Sequence, residues 1–304
     1  MFLRRLSKPA TLALVLLFPL SLLLVLAPSP AAFGASSHVQ RRYVRPAVRW
    51  RTLFFSNFIG RAGTMLPANS WQYSVGRQDS DAVYVRSAAY AELDGHGNLV
   101  VTARHLKVGW RSGQVITKRS FMPKSGQSLR AQAKIEMPSA GNGYWPAFWA
   151  VDPRALVVSG TEPANGEIDV AETTDNRPWV AQLLHCGPSK FSGPCREPSK
   201  RISDFHHFRY PAGRVGYHLY TMVWTNLPRK QSLTFLVDNH VQLVITRMEI
   251  GARYWRMAFD HPYAFLFDIA IGGWGGQPNK RSSRWGAMHV AYFSVSVTQG
   301  APKL

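Results

Sequence analysis

Short runs of alternating hydrophobic and polar residues fill most of the chain, and turn residues separate them. The pattern is clear in LRAQAKIEMP (129–138), HLYTMVWT (218–225) and HVAYFSVSVTQ (289–299), and it is typical of strands with one buried face. In SLTFLVDNHVQLVITRM (232–248), the residues VDNH between two apolar runs predict a hairpin turn. No segment predicts a helix longer than about three turns. The sequence therefore predicts an all-β fold, an antiparallel sandwich or jelly roll.

The N-terminal region differs from this pattern. Arg4, Arg5 and Lys8 precede a long apolar run that ends in small residues, which is the order of a secretory signal. If the segment is not cleaved, it is a single membrane anchor, and only then do we expect membrane contact. Both alternatives place the rest of the chain outside the cytoplasm, either secreted or at the cell surface. The predicted regions are 1–35 (signal peptide or anchor), 36–50 (basic linker), 51–299 (one domain) and 300–304 (tail).

The chain is strongly basic, with a formal net charge of +19. Residues 1–35 carry three basic and no acidic side chains, so their removal lowers the charge only to +16. Such a charge attracts polyanions. The basic residues are dispersed, however, and no nucleic-acid motif accompanies them, so we expect no nucleic-acid partner. A solvated basic surface is the simpler interpretation, and an acidic polysaccharide stays open as a ligand.

The two cysteines, Cys186 and Cys195, lie close together in HCGPSKFSGPC. In an exported protein, such a pair with Gly and Pro between its members predicts a disulfide that closes a short loop. A metal site would need more ligands, and only His185 is adjacent.

Three acids occur within seven residues in GEIDVAE (166–172). In a regular strand Glu167 and Asp169 share one face, whereas Glu172 falls one position too late to join them. A one-residue bulge around Val170–Ala171 would turn Glu172 onto the acidic face, and bulges are common beside active sites. The spacing is therefore consistent with one row of acids if the strand is bulged.

Glycoside hydrolysis is the chemistry that such a row suits. It needs two carboxyl groups beside the scissile bond, and a third carboxylate between them would help to separate their pKa values. The outer Cα atoms would lie roughly 13–16 Å apart, from about 3.3 Å of rise per residue. This spacing does not distinguish the retaining from the inverting arrangement.

GEIDVAE resembles the bulged catalytic signature of glycoside hydrolase family 16, specifically a laminarinase-like bacterial subgroup with a short disulfide loop. The resemblance extends over about residues 51–299, in the family's order. The further segments that carry it are NFIGRAGTMLPANSWQYSVG (57–76), SGQVITKRSFMPKSGQSLRAQAKIEMP (112–138), YWPAFWAVD (144–152), LLHCGPSKFSGPCREPS (183–199) and AFLFDIAIGGWGGQP (264–278).

The resemblance implies a β-jelly-roll sandwich of two curved antiparallel sheets, concanavalin-like, with a concave substrate cleft. It implies endo-acting, retaining hydrolysis through a covalent glycosyl-enzyme. Glu167 would be the nucleophile, Asp169 its assistant and Glu172 the general acid/base.

The resemblance also implies substrate-binding residues. Trp149 would stack on a sugar, with Trp145 close by, although Trp145 could equally be a core residue. His185 would reach the substrate from the neighbouring strand or brace the loop at Cys186. Trp274 would line the cleft or cap a turn.

The expected substrate is a polysaccharide, namely a β-1,3- or β-1,3(4)-glucan. Two departures from the family weaken the choice of glucan: GRQDSDAVYV (76–85) lacks an Asn-Glu segment that many β-1,3-glucanases carry, and Gln114 stands where relatives often have Arg. The alternatives are an agar- or carrageenan-type galactan hydrolase, a cell-wall transglycosylase, and a non-catalytic glycan-binding protein. We expect a monomer whose catalysis requires no cofactor. The family allows a structural calcium ion, but its ligands cannot be assigned from the sequence.

Overall fold

The computed structural model describes residues 49–304, apart from 79, 139–140, 157–161, 175–176, 197–202, 208–215, 280–281 and 283–285. For residues 204–207 it describes the backbone alone. The predicted signal or anchor (1–35) and most of the predicted linker (36–50) lie outside these residues. Within the described part of the chain, no helix is long and apolar enough to cross a membrane.

Nineteen strands are described, and strand pairing joins them into three sheets. The eight-stranded sheet has the order β17-β16-β15-β10-β19-β6-β5, with β1 also paired to β19. Its strands are β1 (Arg51–Ser56), β5 (Ala91–Leu93), β6 (Leu99–Val101), β10 (Gln127–Glu136), β15 (His218–Leu227), β16 (Lys230–Val237), β17 (His240–Thr246) and β19 (Met288–Gln299).

The seven-stranded sheet has the order β14-β13-β12-β11-β18-β9-β2. Its strands are β2 (Trp71–Tyr73), β9 (Gln114–Thr117), β11 (Tyr144–Val151), β12 (Glu167–Glu172), β13 (Trp179–His185), β14 (Ser203–His207) and β18 (Ala264–Ile271). The third, four-stranded sheet has the order β3-β4-β8-β7, from β3 (Gly76–Arg77), β4 (Val83–Tyr84), β7 (Ala103–Leu106) and β8 (Gly109–Ser112).

The main hydrophobic core lies between the two larger sheets. Phe148 and Phe267 of the seven-stranded sheet stack on each other at 4.7 Å, and both contact Phe293 of the eight-stranded sheet. All three rings are fully buried. Two antiparallel sheets packed through such alternating residues form a β-sandwich. The prediction of an all-β jelly-roll sandwich is confirmed.

The described residues include two short α-helices, α1 (Arg247–Ile250) and α2 (Ala252–Phe259). Arg247 and Met248, at the end of the segment 232–248 that was predicted to be extended, are instead the first residues of the helix α1. A capping box between Thr246 and Glu249 causes this change, because each side chain satisfies a backbone N–H of the other. The hairpin predicted at VDNH is present, with Asp238 and Asn239 both at positive φ.

The strand β12 contains the predicted bulge. Phe148 of β11 pairs with Ala171 and the next residue, Trp149, pairs with Asp169, so Val170 has no partner across this ladder. The backbone oxygen of Val170 accepts a hydrogen bond of 3.0 Å from Nε2 of the buried Gln182. The extra residue therefore lets Ile168, Val170 and Ala171 all enter the core while Glu172 leaves it.

Deletion of Val170 tests whether the bulge alone sets the direction of Glu172. The remaining residues would form a regular strand with Glu172 still on the acidic face, because the pairs Phe148–Ala171 and Ala147–Glu172 are kept. We expect a folded protein with a lower melting temperature. The loss of a buried Val costs about 1.5–3 kcal/mol, and the unpaired Gln182 amide costs about 1–3 kcal/mol more. Thermal unfolding followed by circular dichroism measures this.

Deletion of Ala131 is the matched control. Its strand, β10, pairs with β15 without any irregularity, so this deletion turns one half of the strand to the wrong face. We expect no cooperative unfolding transition for this variant. If the Val170 deletion also abolished cooperative unfolding, the account of the bulge would be contradicted.

Candidate functional site

The three acids of β12 form a row on the face of the seven-stranded sheet that points away from the sandwich core, here called the cleft face. Across the ladder to β11, Glu167 pairs with Val151, Asp169 with Trp149, and Glu172 with Ala147. Asp169 is 2% exposed and Glu172 5%, whereas the side chain of Glu167 is 21% exposed. Such burial of three carboxyl groups on one strand is costly unless protons or partners compensate for it.

His185 lies beside the end of the row that holds Glu167. It pairs with Glu167 across the ladder between β12 and β13. Its Nε2 atom is 3.3 Å from Oδ2 of Asp169 and 3.9 Å from Oε1 of Glu167. The structure thus brings this predicted residue into contact with two of the three acids.

Trp145 contacts the other end of the row. Its Nε1 donates a hydrogen bond of 2.6 Å to Oε1 of Glu172. The ring of Trp145 lies 5.8 Å from that of Trp274, which lies 5.4 Å from that of Trp179. We call these three residues the tryptophan wall. Trp274 is 42% exposed, so the wall offers an open aromatic surface beside Glu172.

Trp179 was not singled out in the sequence, although it begins the strand that follows the acidic one. It lies two residues before Ala181, the partner of Glu172 across the ladder. Because side chains two residues apart share a face, Trp179 lies on the cleft face beyond Glu172. Strand alternation counted from the acidic row would have identified it.

A fourth buried carboxyl, Asp268, also lies on the cleft face. Ala147 pairs with Glu172 on one side and with Asp268 of β18 on the other. The Oδ1 atom of Asp268 accepts a 2.7 Å hydrogen bond from Nε1 of Trp149, and its Oδ2 atom accepts one of 2.6 Å from the Tyr84 hydroxyl. Asp268 was not among the residues predicted from the sequence. A lone acid in the otherwise apolar strand AFLFDIAI was the available signal, because a buried carboxyl needs partners.

Trp149 is thereby fixed in place from two directions. Its Nε1 is bound to Asp268, and its ring packs on a small apolar cluster separate from the main core. That cluster consists of Ile116, Val151, Ala264 and Leu266. Trp149 is partly buried in this position, beside the middle of the acidic row.

A second hydrogen-bond network holds the start of β12. Asn165 donates from Nδ2 to Asp152 at 2.9 Å, and the backbone oxygen of Asn165 accepts a 3.0 Å bond from the Tyr263 hydroxyl. Between Asn165 and Glu167, Gly166 has φ +76°, and a Cβ atom there would collide with the Tyr263 hydroxyl oxygen. The close approach requires glycine, and it fixes the direction in which the chain enters the acidic row.

The electrostatics of the row follow from its burial. Burial raises the pKa of Glu167 well above its usual range, and the charge of Asp169 raises it further. Burial likewise raises the pKa of Glu172, with Asp169 again the next cause, while the Trp145 hydrogen bond acts in the opposite direction. Because the groups are so close, they titrate together, and the row retains a proton at a higher pH than isolated carboxyl groups would.

The predicted disulfide between Cys186 and Cys195 is confirmed. It directly follows His185 at the end of β13, and both cysteines are buried. It ties down the chain beyond the strand that supplies His185 to the acidic row.

Glu167, Asp169 and His185 also offer three candidate metal-ligand atoms, all within 4.8 Å of one another. This group does not suit calcium, which takes six to eight oxygen ligands. The structural calcium ion therefore remains a prediction without assigned ligands.

Comparisons with known proteins agree with this geometry. Residues 99–208 match the family model described as XgeA-like, catalytic GH16 domain. A beta-glucanase of Rhodothermus marinus is 29% identical over 222 residues, covering 68% of this chain and 71% of that protein. The glucan endo-1,3-beta-glucosidase A1 of Niallia circulans is 28% identical over 196 residues, covering 61% of this chain and 26% of that protein.

Among solved structures, the endo-1,3-beta-glucanase of Streptomyces sioyaensis superposes with a TM-score of 0.76 at 28% identity. The match covers 82% of this chain and 97% of that one. A jelly roll with a row of carboxyl groups across one sheet, together with these relatives, defines a glycoside hydrolase. Residues 99–208 thus resemble the catalytic domain of glycoside hydrolase family 16.

Asp268 makes a testable contribution to stability. Burial raises its pKa from 3.8 to about 6, although hydrogen bonds from Tyr84, Trp149 and Gln114 favour the charged form. Since the folded pKa lies above the unfolded one, folding is favoured at low pH and this advantage is lost as pH rises through about 6. The Asp268→Asn variant should therefore gain stability relative to the wild type between pH 4 and pH 7.5, by about 2 kcal/mol.

Urea unfolding of both proteins at the two pH values measures this difference. Asp260→Asn, at an exposed position after α2, is the control and should show no such gain. An Asp268→Asn variant whose stability relative to the wild type is the same at both pH values would show that Asp268 does not titrate in this way.

Proposed function

We propose that the protein is a retaining endo-β-glucanase that hydrolyses β-1,3- or β-1,3(4)-glucan. The observation that carries the proposal is the bulged strand, on which Glu167, Asp169 and Glu172 occupy one face. Two carboxyl groups on one side of a cleft can act on one glycosidic bond, one as nucleophile and the other as acid/base.

The environment of each acid supports its role. Glu167 is the most exposed of the three, and with Asp169 it lies next to His185, whose positive form favours ionised carboxylates. Burial raises the pKa of both glutamates, but Glu172 is the more deeply buried of the two and lies at the opposite end of the row from His185. The shared proton is therefore assigned to Glu172, the general acid, and the negative charge to Glu167, the nucleophile.

The reaction then has two steps. The carboxylate of Glu167 attacks the anomeric carbon while Glu172 donates its proton to the departing glycosidic oxygen, which gives a glycosyl ester on Glu167. Glu172, now ionised, takes a proton from water as the water oxygen attacks the same carbon and releases Glu167. Asp169, between the two, keeps Glu167 oriented and disfavours a second negative charge on Glu172.

The tryptophan wall and Trp149 supply the surface for a sugar chain. Flat apolar rings suit the faces of pyranose rings. The wall lies beside Glu172, which would face the leaving group, so Trp145, Trp179 and Trp274 are assigned to contact the sugars on that side. The names of the relatives favour a glucan as the polysaccharide.

The proposed place of action is outside the cytoplasm. Two observations support it: the apolar run that follows Arg4, Arg5 and Lys8, and the disulfide between Cys186 and Cys195. Disulfides persist in oxidising compartments, where an enzyme for extracellular polysaccharide would act.

The roles of the two glutamates are separable by substrate. Glu167→Gln should lose activity by at least about 10³-fold on laminarin and on an aryl β-laminaribioside with a good leaving group alike. Glu172→Gln should lose about 10²–10⁴-fold on laminarin but far less on the aryl substrate, because that leaving group needs no proton. Reducing-end release and absorbance of the released phenol measure the two activities.

Azide and a substrate panel complete the test. Azide should accelerate Glu172→Gln, since it attacks the glycosyl-enzyme without a general base, and it should not help Glu167→Gln. Undiminished hydrolysis by either variant would contradict the assigned roles. Wild-type activity on agarose or carrageenan, with none on laminarin or lichenan, would keep the mechanism and reject glucan as the substrate.

A further inference from the structure

Three arginines share one face of the four-stranded sheet. Arg77 of β3 pairs with Val83 of β4, Val83 pairs with Arg111 of β8, and Arg111 pairs with Arg104 of β7. Directly paired residues point to the same side of a sheet, so the three guanidinium groups form one row, here called the arginine row. Three steps between neighbouring strands give it a length of about 14 Å.

The arginine row lies on the outer face of this sheet. The adjoining row of side chains, on the opposite face, is buried and consists of Tyr84, Ser112 and Ala103. Arg77 and Arg104 are exposed, and Arg111 is partly exposed. The row is therefore accessible to a large ligand in solution.

The contacts of these arginines within the described residues are with neutral groups. Arg77 donates to the backbone oxygen of Asp81 at 3.0 Å, and Arg111 donates to that of Trp110 at 2.9 Å. Arg104 lies over the ring of Tyr90, 5.9 Å from its centroid. Within the part of the chain that the structure describes, no ion pair to the arginine row is found.

Among the described acids, Asp81 lies nearest to Arg77 along the chain, and it forms no ion pair with the arginine row. The carboxylate of Asp81 faces Gly272, where a Cβ atom would collide with Oδ2 of Asp81. By contrast, Arg154 forms a 2.6 Å ion pair with the buried Asp152. Arg104 and Arg111 stand directly opposite each other, an arrangement of like charges that destabilises a sheet. A ligand with negative charges would relieve this repulsion.

We propose that the arginine row binds an anionic polysaccharide whose carboxylate or sulfate groups recur along the chain. The planar guanidinium fork binds such groups with two parallel hydrogen bonds, and three forks in line suit a linear polymer. The net charge of +19 adds a long-range attraction for the same class of ligand.

The choice of a polysaccharide over other polyanions rests on the proposed function. The sheet of the arginine row is joined to the cleft face, because Tyr84 on its buried side binds Asp268, which in turn holds Trp149. An anionic wall or matrix polymer bound on the row would keep the cleft close to the neutral glucan embedded in the same material. The row is thus an anchoring site, separate from the acidic row that carries the chemistry.

The test compares two triple variants of equal charge. Arg77→Gln/Arg104→Gln/Arg111→Gln removes the row, and Arg61→Gln/Arg229→Gln/Arg253→Gln removes three exposed arginines from separate elements. Binding of the purified proteins to immobilised polygalacturonate and dextran sulfate is measured over a series of NaCl concentrations, with neutral dextran as the blank.

We expect the Kd of the row variant to rise at least about tenfold. The slope of log Kd against log NaCl concentration should be smaller by roughly two to three, because about that many ion contacts are lost. The control variant should lose less than about threefold in affinity, the share due to net charge alone. Weaker binding to only one of the two polymers would identify carboxylate or sulfate as the recognised group.

Three outcomes would overturn the proposal. The first is an equal loss of polymer affinity in the two triple variants, and the second is no binding of the wild type to either polymer. The third is an affinity for short duplex DNA that falls more in the row variant than its affinity for the polysaccharides does. Laminarin hydrolysis is measured in parallel and should be unchanged in both variants. If the wild type does not hydrolyse laminarin, the proposed function is rejected. If it does, but binding of the anionic polymers does not depend on the arginine row, only the anchoring site is rejected.

Discussion

The ladder between β11 and β12 contains one residue more on one side than on the other, and the site depends on that mismatch. Val170 is the extra residue, and the amide of Gln182 holds its backbone oxygen. Without the bulge, a strand of period two would direct Glu172 into the hydrophobic core. With it, the same six residues place apolar side chains between the sheets and all three acids on the cleft face.

The buried carboxyl groups are the second constraint, and each has its own compensation. Asp268 accepts hydrogen bonds from Tyr84 and Trp149 at 2.6 and 2.7 Å, and Asp152 is held by Arg154 and Asn165. Both support the chemistry indirectly, because Asp268 holds Trp149 and Asp152 holds the residue before Gly166. In the acidic row itself, compensation is incomplete, and this is why the pKa values of Glu167 and Glu172 rise. A row that keeps a proton at a higher pH than isolated carboxyl groups would suits acid catalysis.

The sequence was most informative where the relevant signal is local. Alternation along LRAQAKIEMP and HVAYFSVSVTQ predicted long strands, and the spacing in GEIDVAE indicated that a bulge is needed if all three acids are to share one face. The pair Cys186 and Cys195 is equally local. At Thr246 the strand pattern was extended too far, because the capping box with Glu249 starts a helix there.

Contacts between distant segments were beyond the sequence. Asp268 meets Tyr84 across 184 positions, and nothing near either residue indicates the other. The arginine row depends on the parallel pairing of two-residue β4 with β8, which is too short a strand to show any periodicity. Trp179 is an intermediate case, because its place on the cleft face follows from alternation only once the register with Glu172 is known.

The most direct test of the central claim is to trap the covalent intermediate. A 2-deoxy-2-fluoro-β-laminaribiosyl fluoride slows hydrolysis of the glycosyl-enzyme, and peptide mass spectrometry then locates the sugar. The account predicts one laminaribiosyl group per chain, attached to Glu167. A label on Asp169 or Glu172, or no adduct in a preparation that hydrolyses laminarin, would contradict it.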